Sequence, residues 1–527
     1  MSDGSTESKA KKIFLAILAW IVILGIGVGG WRVYIWLTSE KLEEETGSVS
    51  LYKHEIVVYA DSFSGYCILR SDEMANNLKR EGIKLDIKDD STASDLYFDR
   101  LKALNSGKAD MAVFTIDAEL VAGIVKLKGK FPASIVAIID ETKGADAIVA
   151  KGNIKSIQDL NRADAKFVLT RNSPSEFLAR IAKAYFSLPN LPNNWIIEAD
   201  GAEDAYKKFK KDPGTEPRAY VLWEPFVSKA LEDGGTLLFG SDKLKAGIVD
   251  VLLARREFLR DKPELVKSVV KAYLSAAYTY KDSMADLVIK DAKAGGERLD
   301  RDDAGNIVKG VQWKNTLENY AHFGLLSRSE AGGLEHLEDI IVKIADVLIT
   351  TGVFSQADFD SVQPSSLFYT GIMQQLQTEK FHPGKLGSII QGSQASLDKV
   401  RGDVKLPPLT DEQWEQLVPV AEMAIEKLAF RRGTAELSDI SKRRLQNLAT
   451  RLNSLPQYYL RVIGSSRAEG DLEANKALSK ARAEVAAQHL ILRLGVNRNR
   501  VKTIAEEPSL EGGAAQSVTF QLVQSPY

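Results

Sequence analysis

Cysteine is all but missing: Cys67 is the only one in 527 residues, so no intrachain disulfide can form and a four-thiolate zinc site is excluded. An oxidising compartment is allowed but not exploited. Histidine is scarce too, and the five present (His54, His322, His336, His382 and His489) are scattered with no H-E-x-x-H or similar ligand pair. No G-x-S-x-G elbow occurs, and no phosphate-loop glycine pattern ending in Lys-Ser/Thr. No catalytic residue, metal or cofactor is therefore expected, and the chain does not read as an enzyme. Charge of one sign is also lacking. With 69 basic against 71 acidic side chains, the net charge of -2 gives no field that would call for nucleic acid. No internal repeat is visible. What remains is a chain too long for one compact core, with three domains as the length expectation.

The one long hydrophobic run lies near the N-terminus. Ile13 to Trp31 is uncharged over 19 residues, which at roughly 1.5 Å per residue spans about 28 Å, close to a bilayer core. Lys9, Lys11 and Lys12 precede it and the acidic stretch 40–45 follows. Residues 1–12 are thus expected in the cytoplasm, 13–37 as a transmembrane anchor, and the bulk in the periplasm, as a single-pass inner-membrane protein. Gly29-Gly30-Trp31-Arg32 is a poor small-x-small cleavage site, which favours an uncleaved anchor over a signal peptide. Gly25 and Gly29 form a G-x-x-x-G suited to helix packing.

From His54 to Leu259 short apolar runs alternate with amphipathic ones. EIVVYA, IKLDI, ADMAVFT, SIVAIID, AIVA, KFVLT, WIIEA and RAYVLW read as buried strands, with helices over 71–81, 96–106 and 174–187 between them. This alternation predicts an α/β class of open, mostly parallel sheets with helices on both faces, divided between two lobes. Residues 263–377 turn helical. The stretch 377–417, with HPGKLG, QGSQAS and KLPPL, reads as a linker. The expected division is a two-lobed module over 53–376, the linker over 377–417, and a small α/β domain over 418–527. Within the last, helices are expected at 440–453 and 473–494, and strands at 458–463, 501–504 and 517–523.

An open α/β sheet puts its chemistry in the turns leaving the carboxyl ends of its strands. Ser62, Phe63 and Ser64 follow EIVVYA, Asp117 follows ADMAVFT, Arg171, Asn172 and Ser173 follow KFVLT, and Trp223 and Glu224 close RAYVLW. Asn172 or Ser173 would cap a helix opened by Pro174, where free N–H groups and hydroxyls suit a carboxylate or oxyanion. The same residue types are also plain helix caps. Trp223 can flank a ligand while Glu224 accepts its N–H groups, or the tryptophan can simply pack against the second lobe. Arg171 would balance an anion; Asp117 with Glu224 would balance an amine.

LNSGKADMAVFTIDAEL, VLWEPFVSKAL and GIVDVLLARREFLRDKPELVKSVVKAYLSAA resemble the periplasmic substrate-binding proteins of the nitrate, sulfonate, taurine and thiamine-precursor ABC transporters, over residues 55–376. The resemblance implies two lobes joined by a hinge, closing on a small solute, with a membrane permease as partner. Members of that family are free or lipid-anchored, so an anchor and a further domain depart from the pattern.

Toward the C-terminus, IEKLAFRRGTAEL, LRVIG, NKALSKARA and LGVNRNRV resemble the OmpA-like peptidoglycan-binding domain. In that family an aspartate and the arginine of L-S-x-x-R-A grip the diaminopimelate end of the wall peptide. The resemblance puts Arg482 in the arginine's place, at the mouth of a pocket, with Asn475 opening the motif. The aspartate's place falls in the turn Ser465-Ser466-Arg467. Ser466, Arg467, Asn475 and Arg482 are therefore the expected wall-binding residues. A ligand ammonium would face like charge at Arg467, so weak or no binding of diaminopimelate peptidoglycan is expected. Residues 422–527 hold 16 Lys/Arg against 11 Asp/Glu, which suits a more anionic ligand or a solvated basic face equally.

Two functions follow. One is a membrane-anchored periplasmic solute-binding protein with a cell-wall-binding-like domain, binding or sensing a small polar or anionic solute. The other is a structural tether from inner membrane to wall, or a protein-docking scaffold, with no small-molecule ligand.

Overall fold

The computed structural model describes residues 51–91, 95–327, 329–384, 406–466, 468–508 and 517–526. The expected anchor at 13–37 and Arg467 lie outside the described residues. Among those described, no helix is long and apolar enough to cross a membrane. The described residues divide into two units, 51–55 with Leu78–Lys84, and the rest from Ile56 onward. In the first, the N–H groups of Lys53 and His54 both donate to the Gly82 carbonyl, at 2.7 and 3.2 Å. The second holds the bulk of both lobes and the C-terminal domain.

The chain runs through β1 (His54–Ala60), β2 (Ile83–Asp89), β3 (Met111–Thr115) and β4 (Ala133–Thr142). It then crosses to a second sheet for β5 (Asp146–Ala150), β6 (Lys166–Leu169), β7 (Ile196–Glu198), β8 (Arg218–Trp223) and β9 (Thr236–Gly240). It returns for β10 (Val249–Arg255) and β11 (Val311–Trp313). β3, β4 and β5 are buried along their whole length, which is why their sequences are near-continuous apolar runs: such strands are covered on both faces. The first sheet has the order β11-β4-β10-β3-β1-β2 and the second β7-β6-β8-β5-β9.

The sheets are mixed rather than mostly parallel. β1 is parallel to β3, and β6 to both β7 and β8. β10 is antiparallel to β3 and β4, β11 to β4, and β5 to β8 and β9. The route of the chain is the cause. A strand that enters a lobe through the hinge runs away from the interlobe space, whereas the strands of βαβ units run toward it. β5 and β10 are the two entering strands. β11 starts beside the first crossover, where the Gly310 carbonyl accepts the N–H groups of Lys143 and Ala145 at 2.7 and 3.2 Å, and so runs the same way as β10.

Two crossovers make the hinge, Lys143–Ala145 and 241–248. The Ser241 hydroxyl joins them by accepting the N–H groups of Gly144 and Asp146, at 2.8 and 3.3 Å. Behind them lies a buried ion pair, Lys314 to Glu141 at 2.7 Å, with Lys143 at 2.6 Å. Burial opposes ionisation of Glu141, yet the two ammonium groups hold its carboxyl well below the usual range.

The C-terminal domain is a four-stranded sheet in the order β12-β15-β13-β14, built from β12 (Val418–Glu422), β13 (Tyr459–Ser465), β14 (Val501–Ala505) and β15 (Ser517–Gln524). Two helices, Asp439–Asn453 and Leu472–Leu492, are capped by Ser438 and Asp471, whose side chains accept the N–H groups of Ser441 and Ala474. A Cβ at Gly464 would come within 2.3 Å of the Ser479 carbonyl oxygen, so strand and helix meet at a spacing only glycine permits. Buried Arg500 donates to the carbonyls of Tyr458, Leu452 and Leu455 at 3.0, 3.2 and 2.7 Å, satisfying the end of the first helix. Leu406, Leu409, Trp414 and Leu417, expected in the linker, pack with Tyr459 and Val523.

This domain is seated on the second lobe and on the hinge. Ser187 N–H donates to the Glu422 carbonyl at 2.7 Å and Ala424 N–H to the Tyr185 carbonyl at 2.8 Å. Arg451 donates to the Ala184 carbonyl at 3.0 Å and pairs with Asp346 at 3.6 Å. At the second crossover, Lys245 N–H donates to the Ser454 carbonyl at 2.9 Å and Lys243 Nζ to Gln457 Oε1 at 3.3 Å.

Candidate functional site

Between the lobes lies a cavity of about 1070 Å³, ample for a small organic ligand. The turns leaving β1, β6, β7 and β8 open into it, bringing Asp61–Ser64, Thr170–Pro174, Glu198–Gly201 and Trp223–Phe226 together. Asn172 adopts φ +51°, a left-handed conformation that asparagine tolerates well. Ser173 is the N-cap residue of Pro174–Tyr185, but its hydroxyl donates to the Thr170 carbonyl at 2.7 Å. Glu176 reaches back instead, accepting the Asn172 N–H at 2.9 Å. The helix therefore supplies its own carboxylate at the end where an oxyanion was expected.

Eight of the nine cleft residues expected from the sequence line this one cavity: the Ser62–Ser64 turn, the Arg171–Ser173 turn, Trp223 and Glu224. Asp117 does not. It is buried in the helix Ile116–Val121, beside a second cavity of about 100 Å³, and burial pushes its carboxyl up to about 7.

The described lining carries eight carboxylates and one base. Asp61 and Asp250 come from the first lobe, Asp146 from the end of a crossover, and Glu297 from the loop before Arg301–Gly310. The second lobe gives Glu198, Asp200, Asp204 and Glu224, and Arg171 is the base. Three acids are already paired: Asp61 with Arg100 at 2.8 Å, Glu198 with Arg171 at 3.6 Å, and Asp204 with Lys208. Arg100, wholly buried, also holds Asp90 at 2.6 Å and donates to the Val113 carbonyl at 2.6 Å, which fixes the rim.

Asp146, Asp200, Glu224, Asp250 and Glu297 form no ion pair among the described residues. Asp146 is only 5% exposed, and burial, with Asp117 and Glu224 adding repulsion, pushes its carboxyl up to about 7. Asp250, 2% exposed, accepts a hydrogen bond from the Tyr66 hydroxyl, and burial beside Asp140 drives its carboxyl up. Glu224 accepts from the Ser228 N–H and hydroxyl at 3.2 and 2.8 Å, and burial raises it. Lys229 pairs with Asp303 at 3.2 Å instead. The Glu224–Pro225 peptide bond is cis. Phe63, Tyr97, Trp223 and Phe226 form the apolar walls.

Sequence reading missed Asp146 and Asp250. The available signal was a single acid inside an otherwise apolar strand, as in DAIVA and VDVLLAR, since a carboxylate in a buried strand needs a partner or a cavity.

The residues expected to bind wall peptide are not gathered in this way. Arg482 is 8% exposed; its Nε donates to the Thr434 carbonyl at 3.0 Å, and its guanidinium lies 5.0 Å from the centre of the Phe430 ring. It sits inside the domain rather than at a pocket mouth, because a delocalised guanidinium stacks readily on an aromatic face. Asn475 donates to the Glu469 carbonyl at 2.7 Å. Ser466 is buried, and its hydroxyl has no hydrogen-bond partner among the described residues. One carboxylate was overlooked. β14 runs parallel to β13 with Ala505 opposite Gly464, so Glu506 meets the end of β13 and accepts the Ser465 hydroxyl at 2.7 Å.

Residues 429–512 match the OmpA family. Solved structures similar to the two-lobed part include the periplasmic aliphatic sulphonate binding protein SsuA from Escherichia coli, at 16% identity, covering 60% of this chain and 92% of that one with a TM-score of 0.41. The periplasmic nitrate-binding protein NrtA from Synechocystis PCC 6803 is similar at 13% identity, over 62% of this chain and 89% of that one, TM-score 0.45. A ligand-binding component of an ABC-type import system from Staphylococcus aureus, with zinc bound, is similar at 17% identity, over 59% and 97%, TM-score 0.42. No curated protein matches the chain in sequence. By its two lobes, two crossovers and interlobe cavity the first module is a periplasmic-binding-protein-like α/β body, and an OmpA domain follows it.

Proposed function

We propose that the chain is a membrane-anchored periplasmic solute-binding protein, held by residues 13–37, that takes a small solute between its lobes and passes the bound state to its OmpA domain. The cavity carries this reading: four strand-end turns from two sheets converge on a space of ligand size, across a hinge of two crossovers. A tether or docking scaffold without a ligand would need no such space. The seating of the C-terminal domain on the second crossover, through Ser454 and Gln457, favours sensing over plain delivery to a permease, because a change of lobe angle there is felt directly. Wall peptide is expected to bind weakly, since Arg482 is engaged by Thr434 and Phe430.

Thermal melting of the full-length chain in detergent, against small acids, sulfonates and amines, tests the solute reading. A ligand at about 100 times its Kd adds about 2.7 kcal/mol; no shift with any compound returns the molecule to the tether reading. Fusions of alkaline phosphatase and of a fluorescent protein after Gly47 test topology. Phosphatase activity is expected, and fluorescence alone would reverse the orientation.

A further inference from the structure

We propose that the solute is an organic cation, an amine with one or more ammonium groups, held by Asp146, Glu224 and Asp250 against the rings of Trp223 and Tyr97. This rests on the solute-binding reading above and narrows it. Among the described lining residues the sole base, Arg171, already lies between Glu198 at 3.6 Å and Glu176 at 4.0 Å. An anion entering the cleft would thus meet one shared guanidinium and a surplus of carboxylates. A cation would meet carboxylates that have no ion-pair partner. Two of these, Asp146 and Asp250, are more than nine-tenths buried and still line the cavity. A carboxylate shut away from water is costly unless a counter-charge reaches it.

The same side chains choose between kinds of cation. No group of three or more His, Cys, Asp or Glu among the described residues converges closely enough to hold a metal ion. The acids are instead spread: Asp250 belongs to the first lobe, Glu224 to the second, and Asp146 to the crossover end between them. Dispersed acids suit a molecule with extent, whose ammonium groups reach several carboxylates at once. Phe63, Tyr97, Trp223 and Phe226 add faces on which an alkylammonium rests favourably. Thr170 Oγ1, buried and without a hydrogen-bond partner among the described residues, offers an acceptor for an ammonium N–H. A cation bridging Glu224 and Asp250 would also draw the two lobes together.

The test uses the full-length chain in detergent, with spermidine, putrescine and choline as cationic probes and taurine and nitrate as anionic ones, read by melting shift and by titration calorimetry. Binding of at least one amine is expected, weakened about tenfold or more in Asp146→Asn and in Glu224→Gln, with circular dichroism confirming that the variants are folded. Should a variant fail to fold, the wild type decides: amine affinity must fall as sodium chloride is added. Binding of taurine or nitrate with none of the amines overturns the cation assignment and leaves the solute reading standing. Binding of no probe removes both. Amine binding that neither variant weakens, or that salt leaves unchanged, places the amine elsewhere and overturns the assignment.

Discussion

The interlobe cleft and the OmpA domain use their polar side chains in opposite ways. At the cleft, turns from four strand ends face one open space, and five acids there have no ion-pair partner among the described residues. In the OmpA domain Arg482 and Asn475 are taken up by the domain itself, Arg482 buried against Thr434 and Phe430 and Asn475 bonded to the Glu469 carbonyl near the surface. A family motif thus identifies a fold, whereas several carboxylates without a counter-charge around one open space identify a place for a ligand. Both regions also hold buried arginines whose work is purely structural, Arg100 behind the cleft and Arg500 at a helix end.

The contrast is broken most severely by Arg100→Met. Removing the guanidinium leaves Asp61 and Asp90 facing each other and is expected to cost about 3 to 5 kcal/mol, read as a lower midpoint in urea. A loss below about 1 kcal/mol would mean that the cleft rim does not depend on this triad.

A pH series sharpens the comparison next, because the raised carboxyls cluster in the two-lobed module. Burial pushes Asp117 and Asp146 up to about 7 and Glu119 to about 8, against unfolded values of about 4. Groups raised in this way stabilise the fold fully below about pH 4 and lose that contribution as the pH rises through about 7 to 8. The unliganded chain should therefore melt lower at about pH 8.5 than at about pH 6. A melting temperature that climbs over this interval contradicts the account.

Smaller effects are expected from the C-terminal domain. Arg482→Ala should cost about 1 to 2 kcal/mol through the lost hydrogen bond and ring contact. Little pelleting of the full-length chain with purified sacculi is expected for wild type, and Arg467→Asp should increase it. Strong wild-type pelleting abolished by Arg482→Ala would restore the family's binding mode and erase the contrast. Smallest of all, Arg451→Ala should loosen the seat on the second lobe by about 1 kcal/mol, seen as faster amide exchange at Ala424 and Ser187. Unchanged exchange would show that the β-type pairing there suffices alone.

The strands most legible in the sequence were those buried on both faces, such as SIVAIID, because burial forces a continuous apolar run. β9 and β11 went unread: β11 has three residues, VQW, with a single aliphatic side chain, and β9, TLLFG, is framed by glycines that read as turn. The direction of β5 and β10 was illegible for another reason: it depends on where the chain crosses the hinge, which no local pattern encodes. The cleft was readable through its turns, since strand-end loops carry distinctive Ser, Asn, Trp and Glu residues. Its strand acids were missed because Asp146 stands one residue before the apolar run AIVA and Asp250 lies in VDVLLAR, where no loop residue marks the site. Glu506 escaped because only the parallel pairing of β13 and β14 brings it to Ser465. Arg482 was placed at a pocket mouth by its motif, yet the neighbour that claims it, Thr434, lies far away in sequence.

The central claim is that the two lobes close on a solute. Spin labels at Lys88→Cys in the first lobe and Glu203→Cys in the second, both exposed positions in a chain whose Cys67 is buried, report the distance across the cleft by pulsed electron resonance. The account predicts a shorter, narrower distance distribution when the amine that binds most tightly is added at saturation, and no such change in Glu224→Gln. An interlobe distance that stays the same with every amine and anion tested would contradict it.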